Sequence, residues 1–367
     1  MNKRPDGLYK KSFSFNGRLY YVYGHNLKEV TIKEIEKRKE LEEMKERRDN
    51  PTLDQYHERW TDARRGTIKE STLRCQHFQY QSCAAVVIST TGLRLGDMKL
   101  KEINPDDIRE VQRDLADGSN RSQTVNDKIA VLSHIFNTAV KERVLDYNPC
   151  SPIKTLKRKE ERARDTIHRA LTQEEQETFF REAESSFYYD VFRIAVLTGM
   201  RCGEIGALYL SDIKGDMIHI ERTITKTETG AYTIGDDAKT WHGRRTIPLN
   251  EDIAEVLEHQ KEINRMLDSD KITSITDRIF KAPERGLLMA TPADREINRI
   301  CKRTGIEKFT MHALRATFAT RCIEQGIDVR TLQELLGHAD YALTMNLYGH
   351  VVDTTKQAAM KRLKIVI

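Results

Sequence analysis

LTGMRCGEIGAL, residues 197–208, is the stretch on which the fold turns. Gly199 breaks a helical pattern that resumes almost at once, so Arg201 falls near the first turn of the new helix, where unpaired backbone amides already favour an anion. Glu204, three residues on, shares its face. Taken alone, an arginine and a glutamate at this spacing also read as a structural ion pair.

Two further segments lie downstream. TMHALRATFATR, residues 310–321, sets His312 and Arg315 on one side of a helix, with Leu314, Phe318 and the alanines on the packing side. An imidazole and a guanidinium pointing the same way suit a phosphate oxygen, although a satisfied surface pair reads equally well. In LQELLGHAD, residues 332–340, Gly337 ends a helix in the usual left-handed manner and His338 follows at the turn. Asp340 can then cap the helix that carries Tyr348, a tyrosine bracketed by His338 and His350. That ring is either a packing residue or a hydroxyl placed to attack.

Upstream of these, DDAKTWHGRRTIPL, residues 236–249, places Lys239 ahead of a turn at Gly243 and a strand beginning near Arg245. A lysine at a hairpin tip can act as a mobile proton donor; a solvated turn lysine is the plain alternative.

Composition bounds the rest. A chain of 367 residues suggests two or three domains, each able to bury a core. With 32% charged and 38% hydrophobic residues it reads as a soluble protein. No run approaches the roughly 18 apolar residues of a membrane span, and MNKRPDGLYKK stands where a signal peptide would, so the cytosol is expected. Six scattered cysteines, with no Cys-x-x-Cys pair, imply reduced thiols and neither a zinc site nor a disulfide framework. A net charge of +5 is modest, so any polyanion-binding surface must come from uneven distribution.

Along the chain, residues 8–23 alternate around Asn16-Gly17, a hairpin signal, and a helical pattern runs from about Asn26. Thr52 reads as the cap of the next helix. A longer helix, SQTVNDKIAVLSHIFNTAVKERVLDYNP, carries Val125, Ile129, Leu132, Ile135, Phe136 and Val140 on one stripe and should end at Asn148-Pro149. From Lys154 to Arg164 there are six basic residues against two glutamates, the composition of a linker suited to a phosphate backbone or simply to water. The last part is helical with two β-rich stretches, MIHIERTITKT and RRTIPL.

In this order, TGMRCGEI, KTWHGRRTIPL, HALRATFAT, LGHAD and LYGHV resemble the tyrosine recombinases, or phage-type integrases. The resemblance implies an α+β, mainly α fold. A small hairpin and helix domain at 1–48 would bind arm-type DNA repeats, and an all-α core-binding domain would occupy 49–153. A basic linker at 154–165 would lead to a mostly helical catalytic domain with a small antiparallel sheet at 166–367. It implies that Arg201 and Arg315 clamp the scissile phosphate, Lys239 protonates the leaving oxygen, and His312 is the acid or base near the nucleophile. His338 is then a further phosphate donor and Tyr348 the nucleophile, with Glu204 and His350 in support. The extended TETGAYTIGDDA stretch departs from the family pattern and bears on how deep Lys239 sits.

The implied reaction is site-specific cleavage and rejoining of double-stranded DNA at attachment sites through a 3′-phosphotyrosyl bond, integrating and excising a mobile element. A phenol with a pKa of about 10 needs nearby positive charge to attack at neutral pH, and two arginines and an imidazole would supply it. No cofactor or metal is implied, and no Gly-x-x-x-x-Gly-Lys loop is present for ATP. The expected assembly is a tetramer on two DNA sites, joined through the C-terminal tail, with an excision factor as a possible partner, no membrane, and a place in the bacterial cytosol or nucleoid. The competing readings are a topoisomerase-like relaxing enzyme and a non-catalytic DNA-binding regulator.

Overall fold

The computed structural model describes residues 2–3, 7–118, 120–157, 169–236, 244–268, 278–283 and 286–337. The chain divides into two compact units, Met1–Glu160 and Glu161–Ile367.

The first unit opens with a three-stranded antiparallel sheet, β1 (Asn2–Lys3), β2 (Tyr9–Phe15) and β3 (Arg18–Gly24), in that spatial order. Asn16 and Gly17 both have positive φ, 48° and 78°, the pair a two-residue hairpin with right-handed twist requires. Helix α1 (Leu27–Asp49) packs on the sheet around Phe13, Val22, Val30 and Leu41. Glu34 is buried beneath β2, where Lys11 and Arg38 neutralise it, and the Arg38 guanidinium lies 4.4 Å over the Phe13 ring.

A second, separate core in this unit joins α2 (Leu53–Asp62), α3 (Glu70–Ala84), α4 (Pro105–Asp117) and α5 (Ser122–Lys141). Thr52 and Gln55 form a reciprocal capping box at the start of α2, and Asn104 and Asp107 form another at α4. Tyr56 and Trp60 bury their rings while their polar tips donate to Glu142 at 2.8 Å and Thr138 at 3.1 Å.

Helix α5 stops at Lys141, not at Asn148-Pro149 as its pattern suggests. Arg143 takes φ 60°, so the Val144 amide returns to the Ala139 carbonyl at 2.9 Å and the Arg143 amide to Val140 at 3.0 Å. This is a Schellman ending with arginine where glycine is usual, which is why no glycine signalled it. Asn148 instead pins the following turn, donating to Ser133 and Asn137 and accepting from the Cys150 amide. Residues 154–157, at the head of the expected linker, are strapped to the helices: Gln112 donates to the Lys154 carbonyl, and Asn126 brackets Leu156 with two bonds.

The second unit is mainly helical with two small antiparallel sheets. It runs α6 (Gln173–Ala183), α7 (Tyr189–Thr198), α8 (Cys202–Gly206), β4 (Ile213–Lys214), β5 (Met217–Ile220), β6 (Arg222–Lys226), β7 (Tyr232–Asp236) and β8 (Arg245–Pro248). Then come α9 (Glu251–Asp268), α10 (Ala290–Thr304), α11 (Met311–Glu324) and α12 (Val329–Leu336). MIHIERTITKT is two strands. β5 pairs with β4 and β8 to bury Ile218 and Ile220, and after Glu221 the chain passes to a different ladder, β6 with β7.

The core of this unit centres on Phe179, Phe192 and Phe309, all fully buried with ring centroids 5.0–5.3 Å apart from Phe179. Each contributes roughly 1.5–3 kcal/mol. Phe318, Leu332 and Leu336 belong to a smaller cluster that joins α11 to α12. All six cysteines are free thiols, and no helix among the described residues is long and apolar enough to cross a membrane.

Candidate active site

Helix α7 ends at Gly199 in the left-handed conformation, φ 65°, and α8 begins three residues later with Arg201 as its cap. The break is enforced by packing as well as by backbone freedom. A Cβ on Gly199 would stand 2.9 Å from Leu336 and closer still to Phe318, so α11 and α12 can approach the elbow only because nothing projects from it. Gly203 and Gly206 likewise let α8 lie against the backbone and side chains of β6.

The elbow presents Arg201 with its side chain 42% exposed while Glu204 behind it is 2% exposed. Glu204 Oε2 accepts the Arg201 backbone N–H at 2.9 Å, and Oε1 accepts Arg201 Nη1 at 2.8 Å. A second guanidinium closes on the same carboxylate. Arg245, at the start of β8, donates Nη2 to Oε2 at 2.7 Å and Nη1 to Oε1 at 3.1 Å, a bidentate pair with its side chain 5% exposed. Burial raises the Glu204 carboxyl, but hydrogen bonds and charge from Arg245, then charge and the backbone N–H of Arg201, outweigh it and hold the group at about 2.

Arg315 enters from α11, one turn after His312. It is 3% exposed and donates Nη1 to the Gly199 carbonyl and Nη2 to the Leu336 carbonyl, each at 2.7 Å. Burial first, then the charge of Arg201, pushes this guanidinium down to about 9, with Glu204 opposing and Arg245 adding to the repulsion. It remains cationic at neutral pH. A guanidinium offers five N–H donors, so two carbonyl bonds do not exhaust it.

Met200, Arg201, Ala290, Asp294, His312 and Arg315 line one cleft of about 300 Å³. His312 is exposed on the first turn of α11, whose leading amide, that of Met311, is capped by Asp294 at 2.7 Å. Cys202 also borders the cleft, but burial pushes its thiol up to about 12, so it is not a thiolate nucleophile at neutral pH. Three guanidiniums against the two carboxylates of Glu204 and Asp294 leave a formal net charge of +1 beside the cleft. Such a site favours a phosphate, and favours the added charge of a pentavalent phosphorus more.

Of the residues singled out from sequence, Arg201, Glu204, His312 and Arg315 are brought together here. Lys239, His338, Tyr348 and His350 lie outside the described residues. Arg245 was missed as a member of the site. It stands 41 positions from its partner Glu204, and no periodicity links a strand residue to a helix cap across that interval.

The profile of the phage integrase family matches residues 169–355, just over half of the chain. The chain belongs to the phage integrase family. This integrase-family chain is 27% identical to the transposase from transposon Tn916 of Enterococcus faecalis over 288 residues, 74% of this chain and 69% of that one. It is 27% identical to the ICEBs1 integrase of Bacillus subtilis (strain 168) over 268 residues, 69% and 68% of the two chains. Its fold is that of the Tn1549 transposon integrase solved with circular intermediate DNA: TM-score 0.69, 22% identity, 85% of this chain and 99% of that one. A lambda integrase tetramer bound to a Holliday junction matches at TM-score 0.60 and 22% identity, over 92% and 95%. Family membership makes this a tyrosine-type site-specific recombinase, an enzyme that cleaves and rejoins DNA.

Proposed function

We propose that this recombinase integrates and excises a mobile element by attack of Tyr348 on a phosphodiester seated in the cleft between Arg201 and Arg315. The observation that carries the reading is the exposed Arg201 guanidinium, held by a buried carboxylate whose own charge is outnumbered three to one by arginines. The family match continues to residue 355, past Tyr348, which supports assigning the nucleophile there.

In this reading the phenolic oxygen of Tyr348 forms a bond to phosphorus as the bond to the 5′ oxygen breaks. Lys239 delivers a proton to that leaving oxygen and His312 takes the phenolic proton. Arg201, Arg315 and His338 hold the non-bridging oxygens, Glu204 positions Arg201, and His350 supports the tyrosine segment. One phosphoester replaces another, so the step is close to energy-neutral and is reversed when a different 5′ hydroxyl attacks.

Residues 1–48 would bind arm repeats, 49–153 the core site opposite the catalytic domain, and 154–165 the backbone between them. Four protomers would assemble on two sites, each C-terminal tail docking on a neighbour, with an excision factor as an accessory partner and the bacterial cytosol and nucleoid as the setting. Support comes from the relatives: the matched lambda integrase is a tetramer on a Holliday junction, and the matched Tn1549 integrase is bound to a circular intermediate.

The test is a nicked suicide duplex carrying the joined ends of the element that encodes the chain. A covalent protein–DNA adduct should appear on a denaturing gel, and Tyr348→Phe should abolish it while retaining binding. An adduct with the phenylalanine variant removes the assignment. Truncation after Lys356 should weaken pairing of two sites more than binding to one; equal losses would count against tail docking.

A further inference from the structure

Helix α12 is the last described element before His338 and Tyr348. A helix leaves its final four carbonyls without partners inside the helix. Here all four are engaged. Those of Gln333 and Glu334 accept the Gly337 amide, at 2.8 and 3.2 Å. Those of Leu335 and Leu336 accept guanidinium N–H groups, from Arg245 Nε at 2.7 Å and Arg315 Nη2 at 2.7 Å. Two cations at a helix C-terminus are also favoured by its dipole.

The two arginines differ in where their other donors go. Arg315 lines the cleft and ties α12 to the Gly199 carbonyl of the elbow. Arg245 does not line it; both its Nη atoms go to Glu204, the carboxylate that also holds Arg201 from behind. Arg245 is therefore no phosphate ligand. It is a rigid link, through a single planar group, from the brace of Arg201 to the end of α12.

We propose that Arg245 is a positioning residue for strand cleavage: by gripping the Glu204 carboxylate and the Leu335 carbonyl together, it sets the end of α12, from which the chain runs on to Tyr348, against the phosphate cleft. This rests on Tyr348 as the nucleophile. Lysine can replace the charge, but as a point cation it cannot supply the in-plane fork and the Nε–H at once.

The experiment measures single-turnover adduct formation by the full chain on the same nicked suicide duplex, alongside its affinity for that duplex and its thermal midpoint. Wild type must form the adduct and Tyr348→Phe must not; a wild type without adduct removes the functional reading itself, whatever Arg245 does. Given that control, Arg245→Lys should bind the duplex within about twofold of wild type yet form adduct at least ~10-fold more slowly. Arg245→Gln should fall further in rate between about pH 7 and pH 5 than wild type, because Glu204 loses its strongest partner and begins to take up a proton. Adding Glu204→Gln to Arg245→Gln should remove that extra pH dependence and slow the reaction no further than the slower single variant. Arg245→Lys at the wild-type rate, a loss of rate matched by an equal loss of binding, or a variant that no longer folds would each overturn the proposal.

Discussion

Glu204 holds Arg201 at two points, its backbone N–H at 2.9 Å and its Nη1 at 2.8 Å, so one carboxylate fixes both where α8 starts and where the guanidinium points. Glu204→Gln retains the shape and removes the charge, leaving buried Arg245 without its ion-pair partner and Arg315 without a nearby compensating charge. The expected loss is roughly 3 kcal/mol, several degrees in Tm, with adduct formation slowed and DNA affinity not reduced. Because the folded carboxyl sits near 2, below the ordinary 4.5, its contribution is complete above about pH 4.5 and disappears as pH falls towards 2. Urea unfolding at a series of pH values should therefore show a Glu204-dependent gap that is constant from pH 5 to pH 7.

Gly199→Ala places a Cβ against Phe318 and Leu336 at a left-handed φ of 65°. We expect about 2–4 kcal/mol of destabilisation. Adduct formation should fall by more than stability alone explains, since the Gly199 carbonyl anchors Arg315. Thermal melts and suicide-substrate kinetics on the same preparation would separate the two effects; wild-type values for both would contradict the packing argument.

Arg143 takes a left-handed conformation where glycine is preferred, at φ 60°. Arg143→Gly should stabilise the helical part of the first unit by about 0.5–1 kcal/mol. A rise in the urea midpoint at unchanged slope would show it.

His57 is 4% exposed and its ring lies flat on Tyr80, with centroids 3.7 Å apart and planes 2° from parallel. Burial, then the charge of His77, holds its pKa down at about 4. The fold thus favours the neutral ring: stability is complete above the ordinary 6.5 and is lost as pH falls from there through 4. His57→Phe keeps a stacked ring without a titrating proton. Hydrogen exchange in α2 and α3, corrected for intrinsic rates, should lose protection between pH 7 and pH 5 in wild type and much less in the variant.

Local signals accounted for a large part of the fold. Asn16-Gly17 specified a hairpin because only a few residues tolerate two successive positive φ values, and Thr52 specified a helix start because its hydroxyl meets an otherwise unpaired amide. The helix break at Gly199, the place of Arg201 near the start of the next helix, the one-turn spacing of His312 and Arg315, and the end of α12 at Gly337 were legible for the same reason: each is decided within one or two turns of chain.

What the tertiary structure decided is how those pieces share charge. Spacing along a helix set Arg201 beside Glu204, but it could not show that the carboxylate is buried, that Arg245 reaches it from a strand 41 residues away, or that two arginines hold the end of α12. Buried ionic groups must find partners wherever the packed chain brings them, because water is no longer there to solvate them. Sequence by itself therefore placed the breaks at Gly199 and Gly337 and the shared face of His312 and Arg315, but not the end of α5. The partners that hold Arg245 and Arg315 in place followed only from the packing of distant segments.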